Sequence, residues 1–408
     1  MPSVPANCFR KGPVVMKEKR FSLRGLLVAV LLTVLGMLAL LAGVLFFLLG
    51  KDGLSMAEAV VLINTSFVGD HDMGTAIDGS MNTLISGLGD RWSYYMDADG
   101  YTQQKESKDN AYVGIGATVS YPQGDGLLVE SVVAGGPADQ AGLKAGDTIL
   151  SVDGTALTQE NRQKGTELTR GPEGSSVVLS IRRTDGTETE LTVVRARVEE
   201  HPVSYQLLED GTGLVTIRNF NSRCADEAIA AVDDLAGQGA TRLVFDVRNN
   251  GGGYLDELTK LLDHLLPEGI IFRSEDKAGH KEAVESDASC VKLPMAILVN
   301  GNTYSAAEFF AAELQEMHWG VIIGTPTYGK GFSQQTFPLL SGGAINISTA
   351  KYFTGNGVSL IGTGLTLDQQ VELTDEQTQA LGNHSLAPAD DPQLQTAIEM
   401  LNHPETGK

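Results

Sequence analysis

The serine at position 305 stands where a side-chain hydroxyl could act as a nucleophile. It lies in VNGNTYSAAEFFAAEL, residues 299–314, where an apolar strand-like run ends in polar turn residues and a helix of small residues begins. A serine at such a junction can attack a carbonyl carbon if a neighbouring base removes its proton. The letters SAAE also form the S-x-x-E pattern of a helix capping box. The local pattern therefore leaves Ser305 open to two interpretations, a helix cap and a nucleophile.

The histidines are poorly placed to supply the base that this serine would need. His318 comes at the far end of the helix that Ser305 begins, and His264 lies late in another predicted helix; the other five lie outside the strand-to-turn junctions. Sequence separation alone does not exclude a Ser-His-Asp triad, but a lysine can take the same role in Ser-Lys variants. A lysine acts as a base only when it is neutral, and burial lowers its pKa by several units from ~10.4.

Lys330 is the candidate base, because Gly329 and Gly331 flank it in GTPTYGKGFSQQ, residues 324–335, and let the backbone bend closely around it. The stretch also matches the G-x-x-x-x-G-K pattern of a phosphate loop. Gly331, however, replaces the Ser or Thr that would bind Mg²⁺, and the residues that follow predict strands where a phosphate loop must open a helix. A solvated loop lysine is the alternative to a catalytic one.

A third junction, DVRNNGGG at residues 246–253, could stabilise negative charge. The bare N–H groups of its three glycines could face an oxyanion that develops during a reaction. A flexible turn between strand and helix is the alternative. Its place beside two other candidate loops of the same core favours the first interpretation.

The periodicity of the chain predicts the elements that would position these loops. Residues from Ser55 to about Met96 place apolar side chains at helical spacing, and residues 111–198 form short strand-like runs separated by Gly, Asp and Pro. From Gly213 onwards strands alternate with helices, which predicts a layered α/β core, and DPQLQTAIEML predicts a last amphipathic helix. The expected fold class is α/β (α+β) and multidomain.

The N-terminal region predicts a membrane anchor. Residues 25–50 carry no charge and are long enough to cross ~30 Å of hydrocarbon. The first 24 residues include six basic residues and one acidic residue, which places this end in the cytoplasm by the positive-inside rule. We expect an uncleaved single-pass helix with the remaining chain outside the cytoplasm; a cleaved export signal is the alternative.

Charge and cysteine content exclude other classes. The net charge of −21 argues against binding to nucleic acid phosphates. Cys224 and Cys290 would share the extracytoplasmic side, where a disulfide is chemically allowed, although two free thiols are favoured. No C-x-x-C, H-E-x-x-H or clustered histidine occurs, so neither a metal nor a cofactor is expected.

Four motifs in order give the chain a family resemblance that covers nearly everything after the anchor. The chain resembles the C-terminal processing peptidases, or tail-specific proteases, which are Ser-Lys serine peptidases with a PDZ domain. GSMNTLISGLGDRWSYYM resembles the family's Gly-Asp-Pro-Tyr-Ser segment, and DVRNNGGG resembles its D-L-R-x-N-P-G-G motif. TYSAAE stands where the family has S-A-S-A-S-E, and YGKGFSQ resembles its F-G-K-G-x-x-Q motif. YVGIGATV, GPADQAGLKAGDTILSVDG and RGPEGSSVVLSIRR, which lie between the first and second motifs, are similar to the family's PDZ domain.

The resemblance implies a role for each matching residue. Ser305 aligns with the nucleophile, Lys330 with the general base and Gln334 with the residue that orients the lysine. The oxyanion hole would be formed by the N–H groups of Ala306 and Gly252, with Gly251 as the alternative to Gly252.

The chain also departs from the family pattern. Arg91 and Trp92 replace Pro and Tyr, and Asn302-Thr303-Tyr304 replaces the small residues before the nucleophile, so Tyr304 is expected to narrow the site. KYFTGNGVSLIGTGLTLD lacks both prolines of the corresponding family segment, so the accepted tails are expected to differ.

The PDZ-like region predicts a peptide groove. A peptide would add as a strand to an exposed sheet edge, with its C-terminal carboxylate held by backbone N–H groups of Gly114, Ile115, Gly116 and Ala117. An ordinary hairpin glycine pair is the alternative. The helix near residues 140–143 is expected to line the other side of the groove.

The sequence thus predicts a membrane-anchored serine endopeptidase with protein or peptide substrates that have free C-terminal tails. A bacterial source is expected. The oligomeric state is left open, with a homo-oligomer as one alternative. The rival hypothesis is an inactive homologue that serves as a PDZ scaffold, but such a homologue would be free to lose the serine, lysine and glutamine. The expected segments are a cytoplasmic basic segment (1–24), the anchor (25–50), a helical segment (54–110), the PDZ domain (111–198), the peptidase core (199–385) and a helical tail (386–408).

Overall fold

The computed structural model describes residues 22–402. The expected basic segment falls largely outside this range, as do the last six residues of the expected tail. The chain divides into two units, residues 1–77 and 78–408, with the boundary inside a helix. In chain order the N-terminal elements are α1 (Leu23–Ser66), α2 (Met73–Ser86), β1 (Tyr94–Met96) and α3 (Ala98–Lys108).

Helix α1 contains the expected anchor. Gly50 has φ 62° and ψ −175°, which breaks the helix into two parts at the end of the uncharged stretch. No residue of α1 is buried, and its most apolar window has a mean hydropathy of 2.7. It is the one helix among the described residues that is long and apolar enough to cross a membrane.

The expected helical stretch from Ser55 to Met96 is corrected in part. A non-helical segment, residues 67–72, separates α1 from α2, and Tyr94–Met96 is a strand rather than a helical turn. This strand pairs antiparallel with a long strand of the peptidase core, Ala344–Phe353. Aromatic residues at positions 94 and 95 favour a strand because their side chains pack well on a pleated surface.

The β-rich domain follows, and its buried apolar side chains form a separate core. Its elements are β2 (Ala111–Gly114), β3 (Ala117–Ser120), β4 (Leu127–Val132), α4 (Pro137–Gln140), β5 (Thr148–Val152), β6 (Thr155–Ala156), α5 (Gln163–Thr169), β7 (Ser176–Arg182), β8 (Glu188–Val194) and β9 (Ala196–Glu199). The sheet order is β3-β4-β5-β7-β8, with β6 beside β5, so β3 is an edge strand. Strands β2 and β9 pair antiparallel and connect this domain to the rest of the chain.

The α/β core confirms the predicted alternation of strands and helices. Its elements are β10 (Val203–Leu207), β11 (Thr212–Ile217), α6 (Cys224–Gly237), β12 (Arg242–Asp246), α7 (Leu255–Leu265), β13 (Gly269–Asp276), β14 (Lys281–Ser286), β15 (Met295–Val299), α8 (Ala306–Glu316), β16 (Gly320–Gly324), β17 (Phe332–Pro338), β18 (Ala344–Phe353), β19 (Gln369–Gln370), α9 (Asp375–Gly382) and α10 (Pro392–Asn402). A 3-10 turn at Pro388–Asp390 precedes α10.

Two sheets build this core. The first has the order β10-β11-β12-β15-β16-β19 and is parallel from β11 onwards, so the carboxyl ends of β12, β15 and β16 meet at one edge. The second has the order β1-β18-β13-β14, with β17 paired to β18. The three candidate loops therefore leave one edge of the first sheet, as expected for ligand sites in parallel sheets.

Candidate active site

Ser305 stands on a strained turn between a buried strand and a buried helix. All five residues of β15 are buried, and Ser305 is the N-cap of α8. Of the capping box that SAAE predicts, the Glu308 half is formed, with the Ser305 N–H donating to Glu308 Oε2 at 3.2 Å. Its φ of 61° and ψ of −130° lie outside the regions that a residue with a Cβ normally adopts. Such strain persists only where the surroundings impose it, and it concentrates at functional sites.

The surroundings that impose this conformation come from the loop after β12. Thr303 Oγ1 donates to the Val247 carbonyl at 2.9 Å, and the Tyr304 N–H donates to the Asn250 carbonyl at 3.1 Å. Thr303 is fully buried. The two residues that precede the strained Ser305 are thus hydrogen-bonded to the glycine loop.

The glycine loop packs directly against Ser305. A Cβ at Gly252 would lie 2.7 Å from Ser305 Cβ and 2.9 Å from the Ala306 amide nitrogen, and Gly252 has φ 87°. Only glycine fits there, because a side chain would clash and would resist a positive φ. The close approach requires the second glycine of the triplet.

The backbone N–H groups of this loop are not equally free. The Gly252 N–H donates to Asn250 Oδ1 at 2.8 Å, so in this geometry the expected oxyanion donor already has an acceptor. The Gly251 N–H, the alternative donor, has no acceptor within residues 22–402. Ala306 is the first residue of α8, so its N–H belongs to the first turn, where no helix carbonyl accepts. The oxyanion assignment stays a prediction, and Gly251 is the better placed of the two glycines.

Lys330 lies in the loop between β16 and β17, with its side chain among aromatic rings. Its Nζ is 4.3 Å from the centre of the Trp92 ring and 5.9 Å from that of Tyr304, and the residue is 9% exposed. Burial lowers the pKa of Lys330 to about 8, helped by the positive charge of Lys108 and opposed by the carboxylates of Asp90 and Glu308. A substantial fraction of the neutral amine is therefore available near neutral pH, as a general base requires.

One buried carboxyl group ties the serine turn to the lysine loop. Glu308 is fully buried, and its oxygens accept the N–H groups of Gly329 at 2.7 Å, Lys330 at 3.0 Å and Ser305 at 3.2 Å. Burial raises the pKa of Glu308, and these bonds act against that rise. Glu308 therefore fixes the backbone of Lys330 relative to that of Ser305.

The three expected catalytic side chains line one cavity but are not hydrogen-bonded to each other. Among the described residues no hydrogen bond joins Ser305 Oγ to Lys330 Nζ; instead Tyr352 Oη donates to Ser305 Oγ at 3.2 Å. Gln334 Nε2 donates to the Phe332 carbonyl at 2.8 Å and to Ser348 Oγ at 3.1 Å rather than contacting Lys330. Catalytic hydrogen bonds often form only in the substrate complex, so this arrangement is compatible with a resting site.

The cavity has a volume of about 1250 Å³, which is large enough for an extended peptide segment. Helix α3 and strands β13, β17 and β18 provide its walls, with the serine, lysine and glycine loops at one end. His280 also lines it, with Nδ1 2.9 Å from Asp276 Oδ2. This histidine lies outside the strand-to-turn junctions and is the alternative candidate for the base.

Several contributors were missed by the sequence reasoning. Trp92 was noted only as a departure from a family motif, Tyr352 only as part of a motif lacking prolines, and Glu308 only as a capping residue. The capping pattern was a usable signal for Glu308. No local pattern marks Trp92 or Tyr352 as a neighbour of Lys330 or Ser305, since 238 residues separate Trp92 from Lys330 in sequence.

The charged residues of DVRNNGGG, Asp246 and Arg248, form a buried ion-pair network with residues at the start of α10. Arg248 is 9% exposed, and its guanidinium donates to Asp246 at 2.6 and 2.8 Å, to Asp391 at 2.7 Å and to Gln393 at 2.8 Å. Asp391 and Gln393 stand at the start of α10. This network joins the end of β12 to the last helix and lies outside the cavity.

The expected peptide loop of the β-rich domain has a built backbone geometry. Gly114 ends β2, Ile115 is buried with its carbonyl accepting the Ala138 N–H at 2.7 Å, Gly116 has φ 75°, and Ala117 begins β3. Because β3 is an edge strand, a peptide strand can add to it. Helix α5 approaches the segment after β3, where Thr166 Oγ1 lies 3.2 Å from Tyr121 Oη. The expected lining of the groove by the helix near residues 140–143 stays a prediction.

Cys224 and Cys290 are both free in this structure, and Cys224 is buried. Within residues 22–402, no three His, Cys, Asp or Glu side chains are grouped so that they could hold a metal ion.

Comparison with known proteins identifies the two domains. Residues 128–183 match the model of a PDZ domain, and residues 211–371 match that of peptidase family S41. A candidate S41 protease from Bacteroides fragilis NCTC 9343 has a similar solved structure, with a TM-score of 0.55 and 18% identity over 82% of this chain and 92% of that one. That likeness supports the fold.

Curated relatives identify the family. The carboxy-terminal processing protease CtpA of Bacillus subtilis (strain 168) is 30% identical over 320 residues, which covers 78% of this chain and 68% of the relative. The chloroplastic carboxyl-terminal-processing peptidase 2 of Arabidopsis thaliana is 30% identical over 306 residues, which covers 71% of this chain and 59% of the relative. The chain thus spans less than two thirds of the chloroplast relative. On this identity and coverage, the chain belongs to the carboxy-terminal processing serine proteases of peptidase family S41 and carries a PDZ domain.

Proposed function

We propose that this chain is a membrane-anchored serine endopeptidase in which the PDZ domain binds substrate C-terminal tails and Ser305 and Lys330 hydrolyse the peptide bond. The observation that carries the proposal is the pairing, in one cavity, of a strained serine at a helix N-terminus with a buried lysine. The strain presents the hydroxyl, and burial supplies the neutral amine. Gln334 and the N–H groups of Ala306 and one glycine complete the proposed site.

The proposed chemistry proceeds through an acyl-enzyme. Neutral Lys330 Nζ takes the Ser305 Oγ proton while Oγ bonds to the scissile carbonyl carbon. The resulting ammonium returns that proton to the leaving amine as the C–N bond breaks. Lys330 then takes a proton from water, whose oxygen attacks the ester, and returns it to Ser305 Oγ. Each step needs Lys330 Nζ within hydrogen-bonding distance of Ser305 Oγ or of the attacking water.

The anchor and the domain order support the remaining parts of the proposal. The uncharged first part of α1 would hold the enzyme in the membrane, with the N-terminus cytoplasmic and the catalytic part outside. The proposed domains keep the boundaries expected from sequence, with the PDZ domain at 111–198 and the peptidase core at 199–385. Substrates would be proteins or peptides with free C-terminal tails.

The test compares the full chain with Ser305→Ala and Lys330→Ala on an unfolded protein with an apolar C-terminus. Both variants should lose at least about 10³-fold in kcat, because neither a nucleophile nor its base can be replaced by water at comparable rate. Either variant cleaving at the wild-type rate would refute the dyad. His280→Gln separates the two bases: it should leave kcat within about threefold, and a loss matching that of Lys330→Ala would assign the base to His280.

The scaffold hypothesis has one observation in its favour, the missing hydrogen bond between Ser305 and Lys330. A serine-reactive fluorophosphonate decides the matter. Labelling at Ser305 that depends on Lys330 supports the peptidase, whereas an unlabelled chain that still binds tails supports the scaffold.

A further inference from the structure

Lys108, the last residue of α3, brings a second lysine into the active-site cavity. Its side chain is half-buried and lines the same cavity as Ser305. Its Nζ donates to Asn221 Oδ1 at 3.1 Å and lies 5.1 Å from the centre of the Tyr254 ring. Tyr254 directly follows the glycine loop, so Lys108 is placed at the glycine-loop side of the cavity. It takes no direct part in the proton transfers proposed for Lys330.

This lysine has no acidic partner in the described part of the chain. No carboxylate lies within 4.0 Å of its Nζ. Its two acidic near neighbours in sequence are engaged elsewhere, Glu106 with Arg170 at 3.1 Å and Asp109 with Arg197 at 3.6 Å. An ammonium group has three donors, and the bond to Asn221 uses one.

Burial disfavours the charged form of Lys108. Burial lowers its pKa from the ordinary value, and its ammonium also lowers the pKa of Lys330. Lys105, one turn earlier on α3, lines the same wall, where its Nζ lies 4.7 Å from the Tyr101 ring. The part of the lining that comes from β13, β14 and their turn carries Asp276, Glu282, Lys277 and His280. The charged residues that α3 contributes are both lysines, and an anion would relieve the cost of holding Lys108 charged.

We propose that Lys108 is a specificity-determining residue that binds a carboxylate of the substrate in the active-site cavity. The inference rests on the proposed peptidase function and adds the chemistry of one substrate group to it. That carboxylate is either an Asp or Glu side chain near the scissile bond or the α-carboxylate of a tail that is not held by the PDZ domain. Lysine suits both, because its ammonium is a point charge without a required acceptor geometry.

The experiment measures peptide binding to the full chain in detergent micelles, in a Ser305→Ala background so that no probe is consumed. Four fluorescent peptides are used, which differ only at two points. Each has either a free acid or an amide at its C-terminus, and either Glu or Gln at one internal position. Each is titrated by fluorescence anisotropy against chains with Lys108, Lys108→Met or Lys108→Arg. Lys105→Met, on the same wall and helix, is the matched control.

The double-mutant comparison isolates Lys108 from the PDZ domain, whose contribution is the same in every Lys108 variant. We expect Lys108→Met to weaken binding about tenfold for peptides that carry the recognised carboxylate and less than twofold for peptides that lack it, a coupling of about 1.0–1.4 kcal/mol. Lys108→Arg should retain most of the preference. The carboxylate whose removal abolishes the effect identifies the source.

Three results would overturn the inference: equal weakening of all four peptides, no weakening of any, or the same coupling in Lys105→Met. Cleavage of the four peptides by the chain that retains Ser305 is measured in parallel. Coupling without cleavage would refute the proposed peptidase function and leave carboxylate binding standing. Cleavage without coupling would refute only the role of Lys108.

Discussion

The Nζ atom of Lys330 lies 4.3 Å from the centre of the Trp92 ring, and among the described residues no hydrogen bond joins it to Ser305 Oγ. Arg91 reinforces the arrangement, since its guanidinium lies 5.0 Å from the Trp92 ring and 4.4 Å from that of Tyr328. Both Arg91 and Trp92 are departures from the family motif. A ring face stabilises the charged amine by about 0.5–2 kcal/mol, so the contact favours the protonated, inactive form of Lys330.

Replacing Trp92 with leucine should shift the pH dependence of the enzyme. Leucine keeps the site apolar but removes the ring that stabilises the ammonium, so the Lys330 pKa should fall by about 0.4–1.5 units, the equivalent of 0.5–2 kcal/mol. The measurement is the midpoint of the acidic limb of kcat/KM against pH. Trp92→Phe, which retains a weaker ring, should give an intermediate midpoint. A midpoint that stays in place in both variants would contradict a role for this contact.

The activity of the unaltered enzyme should rise with pH through about 8. The base must be neutral, and the Lys330 pKa is about 8, so the neutral fraction increases about tenfold between pH 7 and pH 9. A plot of kcat/KM against pH should show one acidic limb with a midpoint near 8. A midpoint more than one pH unit below 8 would contradict Lys330 as the base.

Glu308→Gln should slow catalysis with little effect on substrate binding. The carboxylate accepts three backbone N–H groups from the serine and lysine loops, and a glutamine amide turns one acceptor oxygen into a donor. We expect kcat to fall about 100-fold through misplacement of Lys330, with KM within about threefold. Glu316→Gln, at the other end of α8, is the control. A parallel loss of kcat and thermal stability would instead assign Glu308 a purely structural role.

Arg248→Met should destabilise the core by about 3–5 kcal/mol, because it leaves Asp246 and Asp391 as unpaired buried charges. The free energy of unfolding from urea titration measures this effect. Arg182→Met removes an exposed ion pair with Glu188 and should cost less than about 1 kcal/mol. Equal costs for the two substitutions would show that the buried network contributes nothing special.

Glu313→Gln tests a second buried carboxyl on α8. Burial raises the pKa of Glu313 to about 9, and its Oε2 has no hydrogen-bond partner among the described residues. The folded protein holds this proton and the unfolded chain releases it above the ordinary value of 4.5, so the wild type loses stability as pH rises from 4.5 to 9. Glutamine has no such loss. The unfolding free energy of Glu313→Gln minus that of the wild type should increase by about 2–4 kcal/mol between pH 5 and pH 8. A difference between the two proteins that stays constant with pH would contradict the raised pKa of Glu313.

Much of the architecture follows from local periodicity. Helix α10, the alternation from β11 to β16 and the end of the apolar helix at Gly50 were predictable because amphipathic spacing and glycine act within a few residues. The strands after Lys330 excluded a phosphate loop for the same reason. Strand β1 was missed because its pairing partner, β18, lies about 250 residues later in the chain.

The candidate site divides in the same way. The sequence by itself determined that Ser305, Lys330 and a glycine loop stand at strand ends of one core, since each is marked by its own neighbours. Only the tertiary structure decided that Trp92 covers Lys330, that Glu308 joins the two loops, that the Gly252 N–H is taken by Asn250 and that Lys108 enters the cavity. These relationships depend on which surfaces meet after the sheets and helices pack. Contacts between residues distant in the chain leave no periodic trace in the sequence, so only their three-dimensional arrangement reveals them.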